Sequence, residues 1–166
     1  MDLKHSFPPV VDPSTRLLVL GSLPGEVSLA RQRYYAHPQN QFWRLIGAVI
    51  GVEIDVLPYE ERLAALLARG VGLWDTVGTA KRRGSLDGNI RDVARNPLPE
   101  LVERLPALRA VAFNGGKSAS LGMPQLAGRN LALVPLPSSS PAYTLPFEAK
   151  LERWMALRPF VKGRSS

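Results

Sequence analysis

Four short apolar runs, each closed by glycine or by polar turn formers, set the rhythm of the chain. Arg16 to Leu20 carries Leu17, Leu18, Val19 and Leu20 and stops at Gly21; the others are Val71 to Trp74, Arg109 to Phe113 and Leu131 to Leu136. Runs without a polar alternation suit strands buried on both faces. Between them apolar residues recur at helical spacing. One helix begins near Asn40, a plausible N-cap, with Phe42, Trp43, Ile46, Val49 and Ile50 on its buried side. A second covers Tyr59 to Arg69 with Leu63, Leu66 and Leu67 aligned and Gly70 as terminator, and further helices are expected over Leu98 to Arg104, Gly116 to Leu121 and Phe147 to Leu157. Strands alternating with helices predict an α/β fold, a three-layer α/β/α sandwich with a short, mostly parallel central sheet. Residues 1–161 are expected to form one domain, and the polar stretch 162–166 a mobile tail.

Parallel strands deliver the loops after their carboxyl ends to one edge, where open α/β sheets bind ligands. Four loops are therefore expected to converge: Gly21-Ser22-Leu23-Pro24-Gly25, Asp75-Thr76, Asn114-Gly115-Gly116-Lys117, and Pro137-Ser138-Ser139-Ser140-Pro141-Ala142. A fifth segment stands out before the first helix, Tyr34-Tyr35-Ala36-His37-Pro38-Gln39-Asn40-Gln41-Phe42-Trp43, where aromatics, amides and a histidine crowd together. Its Trp43 reads as core. Phe42 is either core or an aromatic floor for a planar ligand.

Composition narrows the chemistry. The chain has 166 residues, 45% of them apolar, enough for a core, and a net charge of +7 that suits a polyanionic partner or serves only solubility. It contains no cysteine, which excludes disulfides, thiolate catalysis and cysteine metal sites, and His5 and His37 make no metal site unaided. No signal-peptide pattern opens the sequence and no apolar run has the length of a membrane span. A cytoplasmic protein with no membrane partner is expected. The densest basic cluster, Lys81-Arg82-Arg83, is either a phosphate contact or a solvated loop.

Four motifs, in this order, resemble the uracil-DNA glycosylase superfamily. Gly-Ser-Leu-Pro-Gly (Gly21 to Gly25) followed by His-Pro-Gln-Asn-Gln-Phe-Trp (His37 to Trp43) is similar to the mismatch-specific branch. Phe-Asn-Gly-Gly-Lys (Phe113 to Lys117) and Pro-Ser-Ser-Ser-Pro (Pro137 to Pro141) bring the chain closer to the hypoxanthine-DNA glycosylase branch. The resemblance runs from about Arg16 to Trp154 and implies a monofunctional enzyme that flips a deaminated base out of DNA and hydrolyses its N-glycosidic bond without cofactor or metal. It further implies damaged or mismatched DNA as partner, a nucleoid-associated location through DNA, and a monomer.

The resemblance also implies roles. The mismatch-specific enzymes hold the attacking water with the Asn of Gly-x-Asn-Pro-Gly, where this chain has Leu23. The hypoxanthine branch uses the Asn of His-Pro-x-Asn, which is Asn40 here, so Asn40 is the expected catalytic residue. Phe42 matches the phenylalanine on which the base stacks. Asp75 falls where the superfamily places a base-contacting Asn, and with Asn114 it would read a carbonyl beside a ring N–H; alternatively it caps a helix or pairs with Lys81, Arg82 or Arg83. Gly21, Ser22, Leu23, Pro24 and Gly25 would line the base pocket, Gly25 leaving room where uracil enzymes carry a tyrosine. Lys117, Ser138, Ser139, Ser140, Pro141 and Tyr143 would meet DNA, with Pro141 or Tyr143 filling the gap left by the base.

Competing readings are weaker. Gly116-Lys117-Ser118 lacks the earlier glycine of a phosphate loop, since Val111 stands there. The serines at 138–140 lack a nucleophile elbow. A module that binds damaged DNA without cutting it, and a uracil-preferring enzyme of the same superfamily, are the remaining alternatives.

Overall fold

The computed structural model describes residues 3–82 and 84–162. In chain order its elements are β1 (Leu3–His5), β2 (Leu17–Gly21), α1 (Glu26–Arg31), α2 (Phe42–Ile50), α3 (Tyr59–Ala68), β3 (Val71–Asp75), β4 (Val77–Lys81), β5 (Arg91–Arg95), α4 (Leu98–Glu103), β6 (Ala110–Asn114), α5 (Gly116–Leu126), β7 (Ala132–Leu136) and α6 (Phe147–Trp154). All four apolar runs are strands of one parallel sheet ordered β3-β2-β6-β7.

The unbroken apolar run of β2 is explained by what covers it. Leu17 and Val19 pack into a cluster with Phe42, Trp43 and Ile46 of α2, Leu66 of α3 and Trp154 of α6. Leu18 and Leu20 point the other way, against Leu98 and Leu101 of α4 and Leu126 of α5. With both faces buried, no position of the strand tolerates a polar side chain. The α/β/α sandwich is the predicted one.

Three features depart from the sequence pattern. A second, antiparallel sheet of order β1-β4-β5 was not legible, because Val-Gly-Thr-Ala-Lys and Arg-Asp-Val-Ala-Arg mix small and charged residues and pair with register irregularities. The six-residue α1 is likewise unforeseen, and α5 runs on to Leu126 with Pro124 inside it. Lys162, assigned to the tail, donates its N–H to the Arg69 carbonyl at 2.8 Å; residues 163–166 lie outside the described residues.

The topology places the site. The chain leaves β2 to form β3 on one side and returns to form β6 on the other, so the strand order reverses beside β2. The carboxyl ends at that reversal are Gly21 and Asn114. Such switch points open a crevice between diverging loops.

Candidate active site

A cleft of about 470 Å³ opens at this edge, bounded by the loop after β2, the Tyr34 to Asn40 segment, Asp75, the β4–β5 loop at Ser85, Leu86 and Asp87, Asn114, and the loop from Ser138 to Tyr143. Asn40, Gly21 to Gly25, Asp75, Asn114, Ser138 to Pro141 and Tyr143 therefore share one cavity, as the convergence of loops requires. Two residues of the expected set are not on its wall. Phe42 is fully buried, and Lys117 lies half-buried behind the cleft, close enough to favour the ionised form of Asp87.

Of the tyrosines lining the cleft, Tyr34, Tyr35 and Tyr143, Tyr35 is the one stacked on Phe42. The ring centroids lie 3.8 Å apart with planes 13° from parallel, so Phe42 supports from beneath and Tyr35 faces the cavity. This corrects the expectation that Phe42 itself is the exposed floor. Tyr35 adopts the left-handed conformation, φ 53°, which costs a non-glycine residue on the order of 1 kcal/mol. Its surroundings hold it there: Trp43 Nε1 donates to the Tyr35 carbonyl at 3.1 Å, and Asn114 Nδ2 donates to its hydroxyl at 3.3 Å. Tyr34 turns the other way and donates its hydroxyl to the Pro8 carbonyl.

The N-cap of α2 is Gln41 and not Asn40, which stands one residue before it and bonds the first helical N–H. Asn40 Oδ1 accepts the Phe42 N–H at 2.9 Å, and Nδ2 makes no hydrogen bond among the described residues. The next residue ties this segment to the serine loop, since Gln41 N–H donates to the Ser139 carbonyl at 3.0 Å.

Asn114 is occupied. Its Oδ1 accepts the Ser139 N–H at 2.9 Å while its Nδ2 donates to Ser139 Oγ at 2.9 Å, and the side chain is 6% exposed. That reciprocal pair anchors the serine loop to the end of β6, with Lys150 Nζ donating to the Ser140 carbonyl at 3.1 Å and Trp154 Nε1 to the Pro137 carbonyl at 3.0 Å. An amide so committed has little left with which to read a base. Tyr143 projects from the same loop, half exposed, with the buried Lys150 ammonium 5.5 Å from its ring centre.

Asp75 is the ionisable group at the bottom of the cleft. It is 3% exposed, and its Oδ2 is buried with no hydrogen-bond partner among the described residues. Burial, reinforced by the negative charge of Asp87 and opposed by Arg82, pushes its pKa up to about 7. It caps no helix and makes no ion pair among the described residues. Asp87 is also raised by burial, against the Ser22 hydroxyl that donates to it at 2.6 Å and the charges of Arg82 and Lys117.

Gly21 makes room for this carboxyl. A Cβ at position 21 would stand 2.6 Å from Asp75 Oδ1 and 3.0 Å from the Tyr35 hydroxyl. Gly21→Ala is therefore expected to lower stability by about 1–3 kcal/mol, read by denaturant unfolding, as Asp75 is forced off its position. At Gly25 a Cβ would instead meet Ser85 Oγ at 3.3 Å, so the space beside that glycine is bounded by the β4–β5 loop.

Within the basic cluster at 81–83, Arg82 proves to be something else. Arg82 is 1% exposed and donates to the carbonyls of Leu23 (3.3 Å), Gly84 (2.7 Å) and Pro24. It is a buried brace for the loop after β2, neither a solvated residue nor a phosphate contact. Lys81 is exposed at the end of β4, and Arg83 lies outside the described residues. Arg82→Met is expected to cost about 3 kcal/mol, because buried carbonyls lose their donors at about 1–3 kcal/mol each. A fall in the urea midpoint without a change in slope would register it.

Among the described residues no group of histidine, aspartate and glutamate has the arrangement of a metal site, and no helix is long and apolar enough to cross a membrane. The sequence profile of the uracil DNA glycosylase superfamily matches residues 8–158. The chain belongs to the uracil DNA glycosylase superfamily. Two of its relatives are hypoxanthine DNA glycosylases. That of Methanosarcina barkeri is 46% identical over 115 residues, 69% of this chain and 73% of its own. That of Methanosarcina acetivorans is 41% identical over 140 residues, 84% and 88% of the two chains. A solution NMR structure of a candidate uracil DNA glycosylase from Methanosarcina acetivorans superposes with TM-score 0.87 at 38% identity, covering 96% of this chain and 99% of that one.

Tyr35, Asp87 and Arg82 are the site residues that motif reading missed. Tyr35 stands beside the His-Pro motif in a segment already marked as unusual. For Asp87 the sequence signal is the turn-forming Asp87-Gly88 pair.

Proposed function

We propose that this protein is a monofunctional DNA glycosylase that releases hypoxanthine from deoxyinosine in DNA. The observation that carries this reading is the cleft itself: a stacking face, a fixed amide and a buried carboxyl with an unpaired oxygen, gathered at the switch point of a superfamily fold. The names of the two relatives favour hypoxanthine over uracil.

The flipped base stacks on Tyr35, whose ring is braced by Phe42 and Trp43. Stacking of this kind is sequence-tolerant and is worth about 1–3 kcal/mol per base. Reading falls to Asp75. In its neutral form a carboxyl both accepts a hydrogen bond from a ring N–H and donates one to the adjacent carbonyl, the edge that hypoxanthine presents. Asp75 thus supplies alone what the sequence divided between Asp75 and Asn114.

Hydrolysis breaks the bond between C1′ and the base nitrogen: the bond pair leaves with the base, a water oxygen bonds to C1′, and the proton that this water loses is balanced by one taken up by the departing base. The transition state carries positive charge on the sugar, so positioned water and a stabilised leaving base suffice. Asn40 Oδ1 holds the Phe42 N–H with one lone pair and offers the second to the water. The serine loop, from Ser138 to Tyr143, presses on the DNA around the extruded nucleotide, with Pro141 or Tyr143 entering the gap it leaves. Ser22, Leu23, Pro24 and Gly25 close the wall opposite.

The test is a panel of labelled duplexes, each carrying one hypoxanthine, xanthine, uracil or normal base, treated with enzyme and then alkali. Cleavage at hypoxanthine that appears only after alkali is the expected result. Cleavage mainly at uracil moves the specificity to the other branch. Salt-sensitive binding with no release from any duplex leaves a damage-binding module.

A further inference from the structure

A second cleft, of about 440 Å³, lies on the far side of the Tyr34 to Asn40 segment and shares Tyr34, Tyr35, His37 and Asn40 with the first. Arg31, Arg33, Arg44 and Arg62 line it, against a single carboxylate residue, Asp55. Here none of the four forms an ion pair among the described residues, and Arg62 reaches Asp55 only through its backbone carbonyl, at 2.8 Å.

Three of them lie over aromatic rings, and Arg62 is held besides by the Leu57 carbonyl, to which its Nε donates at 2.7 Å. The Arg33 guanidinium lies 5.3 Å from the ring centre of Tyr59, Arg62 lies 5.3 Å from that of Trp43, and Arg44 lies 4.0 Å from that of Phe147. Contact with an aromatic ring restrains a guanidinium without neutralising its charge, which leaves N–H groups available for an acceptor. Arg31, Arg33 and Arg44 are exposed. Phosphate is the acceptor this geometry fits, because guanidinium edges pair with its oxygens two at a time.

We infer that this arginine-lined cleft is a phosphodiester-binding track, carrying the strand that continues past the flipped nucleotide over the His37 to Asn40 ridge. The inference rests on the reading of the first cleft as the seat of that nucleotide. It assigns to Arg31, Arg33 and Arg44 the phosphate-binding role that the sequence pattern offered to the cluster at 81–83.

Counterion release supplies the measurement. Each phosphate neutralised on duplex DNA adds about 0.9 to the slope of log affinity against log salt. The probe is a fluorescent duplex with one tetrahydrofuran abasic analogue, titrated from about 50 to 200 mM salt. The triple variant Arg31→Gln, Arg33→Gln, Arg44→Gln is expected to reduce the slope by about 2–3, and the corresponding lysine triple to retain most of it. Arg104→Gln, exposed at the end of α4, serves as the control and keeps the full slope.

An unchanged slope in a glutamine triple whose circular dichroism and thermal midpoint match the parent overturns the inference, as does an equal loss in the Arg104 control. Should the parent release no base from any duplex while the triple still loses slope, the track stands and the catalytic reading falls. Absence of any DNA binding by the parent removes both.

Discussion

Single-turnover release of hypoxanthine is expected to fall by about 10²–10³-fold when Asn40 is replaced by alanine, the scale on which loss of one preorganised polar group slows a reaction that develops charge. The affinity for uncut duplex should hold, because the amide acts on the water and not on the DNA backbone. The side chain has two tasks. Its Oδ1 accepts the Phe42 N–H at the start of α2 and, on the proposed reading, orients water with the remaining lone pair. Loss of that hydrogen bond alone costs about 1 kcal/mol of stability, and it acts on folding rather than on the rate of a folded enzyme. Asn40→Asp separates the two. It keeps an oxygen for the Phe42 N–H but replaces the amide donors with charge, so stability is expected to return while the rate recovers only in part. An alanine variant that releases base at the parental rate would show that Asn40 holds the Phe42 N–H and nothing more.

The four central strands and the edge on which their loops gather were legible because they follow from burial, whereas the order β3-β2-β6-β7 was not. Leu17 to Leu20 can only be a strand covered on both faces, and four such runs with helices between them leave one sheet and one ligand-binding edge. What the sequence concealed is decided by contacts between distant segments. Whether Tyr35 or Phe42 faces the cavity depends on a left-handed turn at Tyr35, secured by Trp43 and Asn114, and the two aromatics look alike in the motif. Arg82 reads as a surface charge among Lys81 and Arg83 until the β4–β5 ribbon, itself poorly marked by pattern, carries it under the carbonyls of Leu23 and Pro24. Asn114 looks like a free amide at a strand end until the serine loop folds back onto it.

These long-range contacts also couple the pieces of the site. The loop after β2 is braced by Arg82, the serine loop by Asn114 and Lys150, and the Asn40 segment is joined to the serine loop through Gln41. Each wall of the cleft therefore rests on a buried polar group from another element. Buried polar networks of this kind are costly when broken and keep the geometry of a site narrow. That suits a reaction relying on placement of water and base, with no strong nucleophile in reach.

The second large effect concerns pH. A carboxyl whose pKa rises from the ordinary 3.8 to about 7 on folding holds its proton more tightly in the native state than in the unfolded one. Between those values the native protein binds more protons, so its stability is fully present below about pH 4 and is lost as pH rises through 7. At about 1.4 kcal/mol per unit the loss amounts to a few kcal/mol. Asp75→Asn removes the penalty, and urea unfolding should find this variant more stable than the parent at pH 8, with the gap closing toward pH 4. Activity should carry the same signature. If neutral Asp75 reads the base by accepting from the ring N–H and donating to the carbonyl, release of hypoxanthine declines as pH rises through about 7, where the carboxylate loses its donor. Asparagine keeps an acceptor and a donor at every pH, so its profile should be flat across that range, whereas Asp75→Leu should lose release throughout. Among the described residues, the titratable groups that interact with Asp75 include Asp87, Arg82, Tyr34 and Tyr35. A pH dependence that persists unchanged in Asp75→Asn would not come from Asp75 and would remove it from base reading.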